Sequence, residues 1–346
     1  MESLLVGGGH TVGQAYCCES GTTVARHVFG GGVAGAEPPH KGGPNRPDRP
    51  EARREWGGER NTQARLIQGL ESIMAALTSE AEERLQEKAT DGPLLEGKDI
   101  SVTFGRGAEA FEAVRGASVT VHGGEAVGIV GESGSGKTTL ARVLVGLQRP
   151  SAGEVRLEGQ PIFSAGSEQG MPRSERWKTQ MIFQDPYSSL NPRMRVWQAV
   201  AEAVQVWKSL PGAEARVEAL RLLNAMGISD DQARQFPKSL SGGQRQRVSV
   251  ARALAPDPKV LIADEPTSSI DQSAQAQLLN LLRRLQSERG LAIIFISHDL
   301  GLVRYLTSRV YVMQKGDIVE TGETQDVMEQ PQHSYTQLLI DSIPGR

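Results

Sequence analysis

The chain has 346 residues, a formal net charge of −3 and 38% apolar residues, a length for two domains or one large domain with appendages. That charge offers no electrostatic footprint for nucleic acid, so no nucleic-acid partner is expected. No run of 18 apolar residues occurs, so no segment is expected to span a membrane.

The opening residues, MESLLVGGGH, lack a basic segment and a sufficient apolar stretch, so no signal peptide is predicted. Residues 1–62 contain two Gly-Gly-Gly runs, a Pro-rich patch (EPPHKGGPNRPDRP) and few large apolar side chains, and are read as a disordered extension. Cys17 and Cys18 are the only cysteines and are adjacent. Neighbouring thiols rarely bridge each other, so a reducing, cytoplasmic setting fits. The segment GGHTVGQAYC around His10 is similar to the proximal-histidine segment of plant-type haem peroxidases. It lacks the large helical domain a haem pocket needs, and the match is read as chance. Residues 63–92 form a predicted amphipathic helix and linker, with Leu66, Leu70, Ile73, Leu77 and Leu85 at helical spacings.

From about Pro93 the pattern is that of an α/β fold. Strands are predicted over Leu94–Phe104 and Ala117–Val121, as an antiparallel lead into a buried strand over Ala126–Val130. A helix over Thr138–Leu147 follows, then a strand over Gly153–Gln160. Residues 190–250 are mainly helical in pattern, including Val217–Met226. Strands return at Val260–Ala263, Ala292–Ile296 and Val310–Met313, with a helix over Ala274–Gln286 between the first two. Strands alternating with helices imply a mostly parallel sheet, and the helical block is then an insertion.

Between the strand at 126–130 and its helix, Gly131-Glu132-Ser133-Gly134-Ser135-Gly136-Lys137-Thr138 fits G-x-x-x-x-G-K-[ST], with Thr139 next. Glycines let such a backbone wrap a phosphate chain, and the helix N-terminus adds unpaired N–H groups. Lys137 is positioned for β- and γ-phosphates, and the Thr138 hydroxyl for Mg²⁺. Downstream, the apolar strand Val260–Ala263 ends in Asp264 and Glu265. Such a strand delivers both acids to the sheet edge where the phosphate loop lies. Asp264 is assigned to hold Mg²⁺ through water, and Glu265 to act as general base toward an attacking water. Either motif alone has a structural reading, a small-residue turn or a solvated acidic turn; their combination points to nucleotide hydrolysis.

Leu240-Ser241-Gly242-Gly243-Gln244, ahead of a predicted helix over Gln244–Leu254, offers a second anion site that a monomer with one phosphate loop does not need. LSGGQ after such a loop resembles the signature of ATP-binding-cassette (ABC) ATPases. The resemblance implies a P-loop NTPase cassette with a mostly parallel sheet core, an antiparallel β subdomain and a helical subdomain over about 185–250. It further implies ATP and Mg²⁺ as cofactors and a head-to-tail pair of cassettes. In that pair Ser241, Gly242, Gly243 and Gln244 of one copy close on the γ-phosphate held by the other. Gln184, in MIFQDP, matches the family's Q-loop glutamine, a metal contact and transport sensor. His298, in FISHDL, matches its switch histidine. Asp271, in TSSID, matches its D-loop aspartate, and Phe104 lies where an aromatic residue usually stacks on adenine.

QDPYSSLNPRMRV, EQPQHSYTQLLIDSIP and PLLEGKDISVTF further resemble the cassettes of oligopeptide, dipeptide and nickel importers, over residues 93–344. Ser334 replaces the usual proline, Ser269-Ile270 the usual Ala-Leu, and the C-terminal cysteine cluster of some relatives is missing, so no iron–sulfur centre is predicted. The implied protein is a transport ATPase on the cytoplasmic face of the inner membrane. Its implied partners are a second cassette, two transmembrane permease subunits and, indirectly, an extracytoplasmic solute-binding protein. A non-transport ATPase, such as an accessory subunit of a phosphonate-cleaving complex, is the alternative. A catalytically dead cassette is disfavoured, because Lys137, Asp264, Glu265 and His298 are intact.

Overall fold

The computed structural model describes residues 92–342, apart from 168–169 and 186–188. The disorder expected over 1–62, the helix expected over 64–88, His10 and both cysteines lie outside the described residues.

The described strands form two sheets. Strands β1 (Leu95–Phe104), β2 (Phe111–Val121), β4 (Ala152–Leu157) and β5 (Gln160–Ser164) make an antiparallel sheet in the order β2-β1-β4-β5. Strands β3 (Ala126–Val130), β6 (Thr179–Ile182), β7 (Val260–Asp264), β8 (Ala292–Ser297), β9 (Arg309–Gln314) and β10 (Asp317–Glu323) make a six-stranded sheet in the order β10-β9-β3-β8-β7-β6. Five of those six run parallel, and β10 returns antiparallel to β9.

Two expectations are corrected here. The strand expected over Gly153–Gln160 ends at Leu157, because Glu158 (φ 52°) and Gly159 (φ 77°) turn the chain into a second, paired strand from Gln160. Strand β2 begins at Phe111, six residues before the expected Ala117, and pairs antiparallel with β1 as expected. Its exposed first residues break the apolar alternation that marks a strand. Strands β6 and β10 carry too few consecutive apolar residues to announce themselves.

The helices are α1 (Lys137–Leu144), α2 (Arg173–Arg176), α3 (Val196–Lys208), α4 (Gly212–Ala225), α5 (Asp230–Ala233), α6 (Gly242–Leu254), α7 (Gln272–Arg289), α8 (Leu300–Leu306), α9 (Thr324–Glu329) and α10 (Ser334–Asp341). Strands β3, β7 and β8 are buried along their whole length. Their continuous apolar runs are what a doubly covered parallel sheet demands. Side-chain alternation divides them between two cores. Val127, Ile129, Val260, Ile262, Ile294 and Ile296 face the antiparallel sheet and α1. Val130, Leu261, Ala263, Ile293 and Phe295 face the helices. The parallel strands therefore cannot slip by one residue without exchanging their two cores.

A polar brace joins the sheets beside β3. The Arg309 guanidinium donates from Nε to Glu125 Oε1 at 3.0 Å and from Nη2 to the Thr120 carbonyl at 3.0 Å. Glu125 also accepts from the His122 amide at 2.8 Å. Burial pushes the Glu125 carboxyl upward, but the bonds from Arg309 and His122 outweigh it, and its pKa falls below the ordinary 4.5. A depressed carboxyl contributes stability above its unfolded pKa and loses it as pH falls through the lower folded value. Glu125→Gln is therefore expected to destabilise the chain by about 1–3 kcal/mol near neutral pH. Denaturant titrations should show the gap to the parent shrinking only below pH 4.5; a gap independent of pH would remove the carboxylate as its source.

Candidate active site

Parallel strands deliver their C-terminal ends to one edge of a sheet, where ligands of open α/β folds bind. Here β3 ends in the phosphate loop, β6 in Phe183 and Gln184, β7 in Asp264 and Glu265, and β8 in Ser297 and His298. A cleft of about 750 Å³ at this edge is lined by Phe104, Gly131, Glu132, Ser133, Gly134, Gly136, Lys137, Thr138, Thr139, Gln184, Glu265 and His298.

The loop conformation requires its glycines at two places. Gly131 has φ 150° and Gly136 φ 106°, and an added Cβ would lie 2.1 Å from the Met313 carbonyl oxygen and 2.4 Å from that of Ala113. Lys137 is buried, and its ammonium donates to the carbonyls of Gly131 and Glu132, each at 2.7 Å, and to Ser135 Oγ at 3.3 Å. Burial lowers the Lys137 pKa, and the carboxylates of Glu265, Asp264 and Glu132 oppose that shift.

Chain geometry sends the two adjacent acids to different partners. Asp264, the buried last residue of β7, accepts from Thr138 Oγ1 at 3.0 Å. Burial raises its pKa, while the Thr138 bond pulls it back down. Glu265 takes the left-handed conformation (φ 44°), uncommon for a side chain of this size. Its amide donates to the Ile296 carbonyl at 3.0 Å. Its Oε2 accepts from Gln184 Nε2 at 3.1 Å and lies 3.4 Å from His298 Nδ1. Thr138, Asp264 and Gln184 offer a hydroxyl, a carboxylate and an amide oxygen, the hard donors that Mg²⁺ prefers. The residues present fit that ion and a phosphate chain.

Phe104 is not a core residue: it is 43% exposed, lines the cleft and pairs across the ladder with Phe111. Ser241, Gly242, Gly243, Gln244 and Asp271 form a separate group that lines no part of this cleft. Ser241 caps α6 in a reciprocal pair with Gln244, their amides donating to each other's side-chain oxygens at 2.9 and 3.3 Å. Asp271 caps α7 by accepting from the Ala274 amide at 2.9 Å. The two caps are neighbours, since a Cβ on Gly243 would lie 2.7 Å from that of Ala274.

Phe111, Tyr335, Leu339 and Ser342 were not identified from the sequence. All but Tyr335 line the cleft, and Tyr335 Oη accepts from the Glu132 amide at 3.0 Å. For Phe111 the signal was its ladder partner Phe104. For the C-terminal residues there was none, because their contact with the loop spans about 200 residues of chain. Arg245 was also missed: it is buried and donates to the Leu240 and Pro237 carbonyls behind the LSGGQ turn. Gly136→Ala places a Cβ against a carbonyl in left-handed backbone, a strain of about 1–3 kcal/mol. It is expected to weaken nucleotide binding at least about tenfold in a titration, and unchanged affinity would rule out the loop backbone as the binding element.

Residues 114–268 match the ABC transporter family, and residues 319–345 match the C-terminal region of oligopeptide/dipeptide transporters. The chain is 44% identical over 253 residues to the oligopeptide transport ATP-binding protein OppF of Streptococcus mutans, covering 72% of this chain and 82% of that one. It is 41% identical over 242 residues to OppF of Lactococcus lactis subsp. lactis, covering 70% and 75%. Among solved structures, the dimeric post-hydrolysis state of the ATP-binding cassette MJ0796, bound to ADP and Pi, aligns with a TM-score of 0.59 at 28% identity, covering 66% of this chain and 98% of that one. CbiO1 from Clostridium perfringens, part of the ABC transporter complex cbiONQ, aligns with the same TM-score and identity, covering 69% and 91%. With its loop, acids and histidine at one sheet edge and this likeness over most of its described length, the chain belongs to the ABC transporter ATPases, in the group whose ATP-binding subunits carry the oligopeptide/dipeptide transporter C-terminal region.

Proposed function

We propose that this chain is the ATP-hydrolysing subunit of a peptide importer, working as one of a pair of cassettes on the cytoplasmic face of the inner membrane. Its cargo would be peptides or a related small solute such as nickel, passing through two permease subunits supplied by a solute-binding protein. The single observation that carries the chemistry is the convergence of Lys137, the Thr138–Asp264 pair and the Gln184–Glu265–His298 group on one cleft. The relatives' names as oligopeptide transport proteins and the matching C-terminal region support the cargo class. Residues 93–346 form the cassette in this reading, with 1–62 an extension and 63–92 a linker.

The Lys137 ammonium, held at the loop by the Gly131 and Glu132 carbonyls, offers its charge to the nucleotide phosphates. Thr138, Gln184 and, through water, Asp264 would hold Mg²⁺, which would supply charge neutralisation at the phosphates. Glu265 accepts the proton of the attacking water, its Oε2 aimed by the Gln184 amide. His298, with 64% of its side chain exposed, reaches the γ-phosphate from the open side. Phe104 and Phe111 offer aromatic faces to the base.

The signature residues complete the site in trans. Ser241 and Asp271 stand together at exposed helix starts away from this cleft, and a second copy brings them to it. A groove of about 700 Å³ between β6 and helices α3 and α6, lined by Phe183, Val206 and Trp207 together with Glu202 and Arg252, suits a permease helix that carries both apolar and charged side chains. Phe183 precedes Gln184, so movement in the groove reaches the Glu265 contact directly.

Three experiments test this reading. Glu265→Gln keeps shape but removes the base, and should cost about 10²–10⁴-fold in turnover while trapping an ATP-loaded dimer; near-parental turnover would reject Glu265 as the base. Ser241→Arg should bind ATP yet fail to hydrolyse it, and mixing it with Lys137→Ala should restore activity through one intact composite site. Dimers that form without recovery contradict the assignment in trans. A chain starting near Asp91 should hydrolyse ATP at the full-length rate, and a folded but inactive product would give residues 1–91 a part in the chemistry.

A further inference from the structure

The C-terminal region does more than mark the transporter class. Helix α10 is fastened at its start by Glu320 of β10, which accepts from the amides of Gln332 and His333 at 2.8 and 3.0 Å. This anchorage buries Tyr335 to 5% exposure and carries its hydroxyl to the Glu132 amide, while Leu339 and Ser342 line the cleft. The peptide between Gly131 and Glu132 is thus gripped from both sides: the Lys137 ammonium holds the Gly131 carbonyl and Tyr335 holds the Glu132 N–H.

We infer that α10 is a wall of the nucleotide site and that Tyr335 is a positioning residue, holding the phosphate loop in shape from the side opposite Lys137. The inference rests on the ATP-binding reading above. It makes nucleotide affinity depend on the C-terminal region, so that a force on α10 changes ATP retention without touching Lys137, Asp264 or Glu265.

The test compares the full-length chain with Tyr335→Phe and Leu339→Glu, using ATP and ADP as probes. Tyr335→Phe keeps the buried ring and removes one hydrogen bond. The variant should melt within a degree or two of the parent, yet show about 3–10-fold higher Kd for both nucleotides and a matching rise in KM for ATP. Turnover at saturating ATP should stay within about twofold, because the hydroxyl contacts no reacting atom. Leu339→Glu should weaken both nucleotides further, in a salt-sensitive way, by placing a negative charge in the cleft wall. Parental KM and Kd in both variants would overturn the inference, as would a lowered melting temperature with KM unchanged in Tyr335→Phe. A parent chain that binds no ATP would instead overturn the nucleotide reading on which it rests.

Discussion

A buried ammonium is tolerated at the floor of the cleft because its own loop surrounds it with oxygen. Unpaired, the Lys137 charge would be costly in a site shielded from water. The carbonyls of Gly131 and Glu132 and the Ser135 hydroxyl remove most of that cost. They point inward only because Gly131 and Gly136 adopt dihedrals closed to other residues at those places. The result is a buried charge whose hydrogen bonds are met within its own loop.

The rest of the molecule holds that loop still. From one side, the β9–β10 turn donates the Gly316 amide to the Ser135 carbonyl at 2.9 Å, and Met313 and Ala113 crowd the two glycines. From below, β3 is clamped between β8 and β9, each in parallel register. From the far end of the chain, Tyr335 holds the Glu132 amide. Phosphate recognition by backbone needs little chemistry but close positioning, and these contacts supply it.

The acids show how one chain direction yields two roles. Asp264 ends a buried strand and inherits its low-solvent surroundings, so it pairs with the Thr138 hydroxyl. One residue later the left-handed turn takes Glu265 out of the strand and against Gln184 and His298. Gln184 in turn lies beside the groove that holds Phe183, Val206 and Trp207. The same amide thereby stands between the Glu265 carboxylate and that groove. Such adjacency lets a small shift at either end bias the other.

Much of the site was legible in the chain alone because its parts are local. The phosphate loop, the acids after an apolar strand and the LSGGQ turn are each contiguous, and strand direction alone brings Lys137, Thr138, Gln184, Asp264, Glu265 and His298 to one edge. The parallel core was readable for the same reason: strands covered on both faces are uninterrupted apolar runs. Tertiary structure decided what depends on pairing between distant segments. It placed β2 in a separate sheet, exposed Phe104 beside Phe111, and turned Ser241 and Asp271 into neighbouring caps outside the cleft. It also brought Tyr335 to Glu132. No periodicity encodes such contacts, since they exist only after two sheets and the last helix have packed around β3.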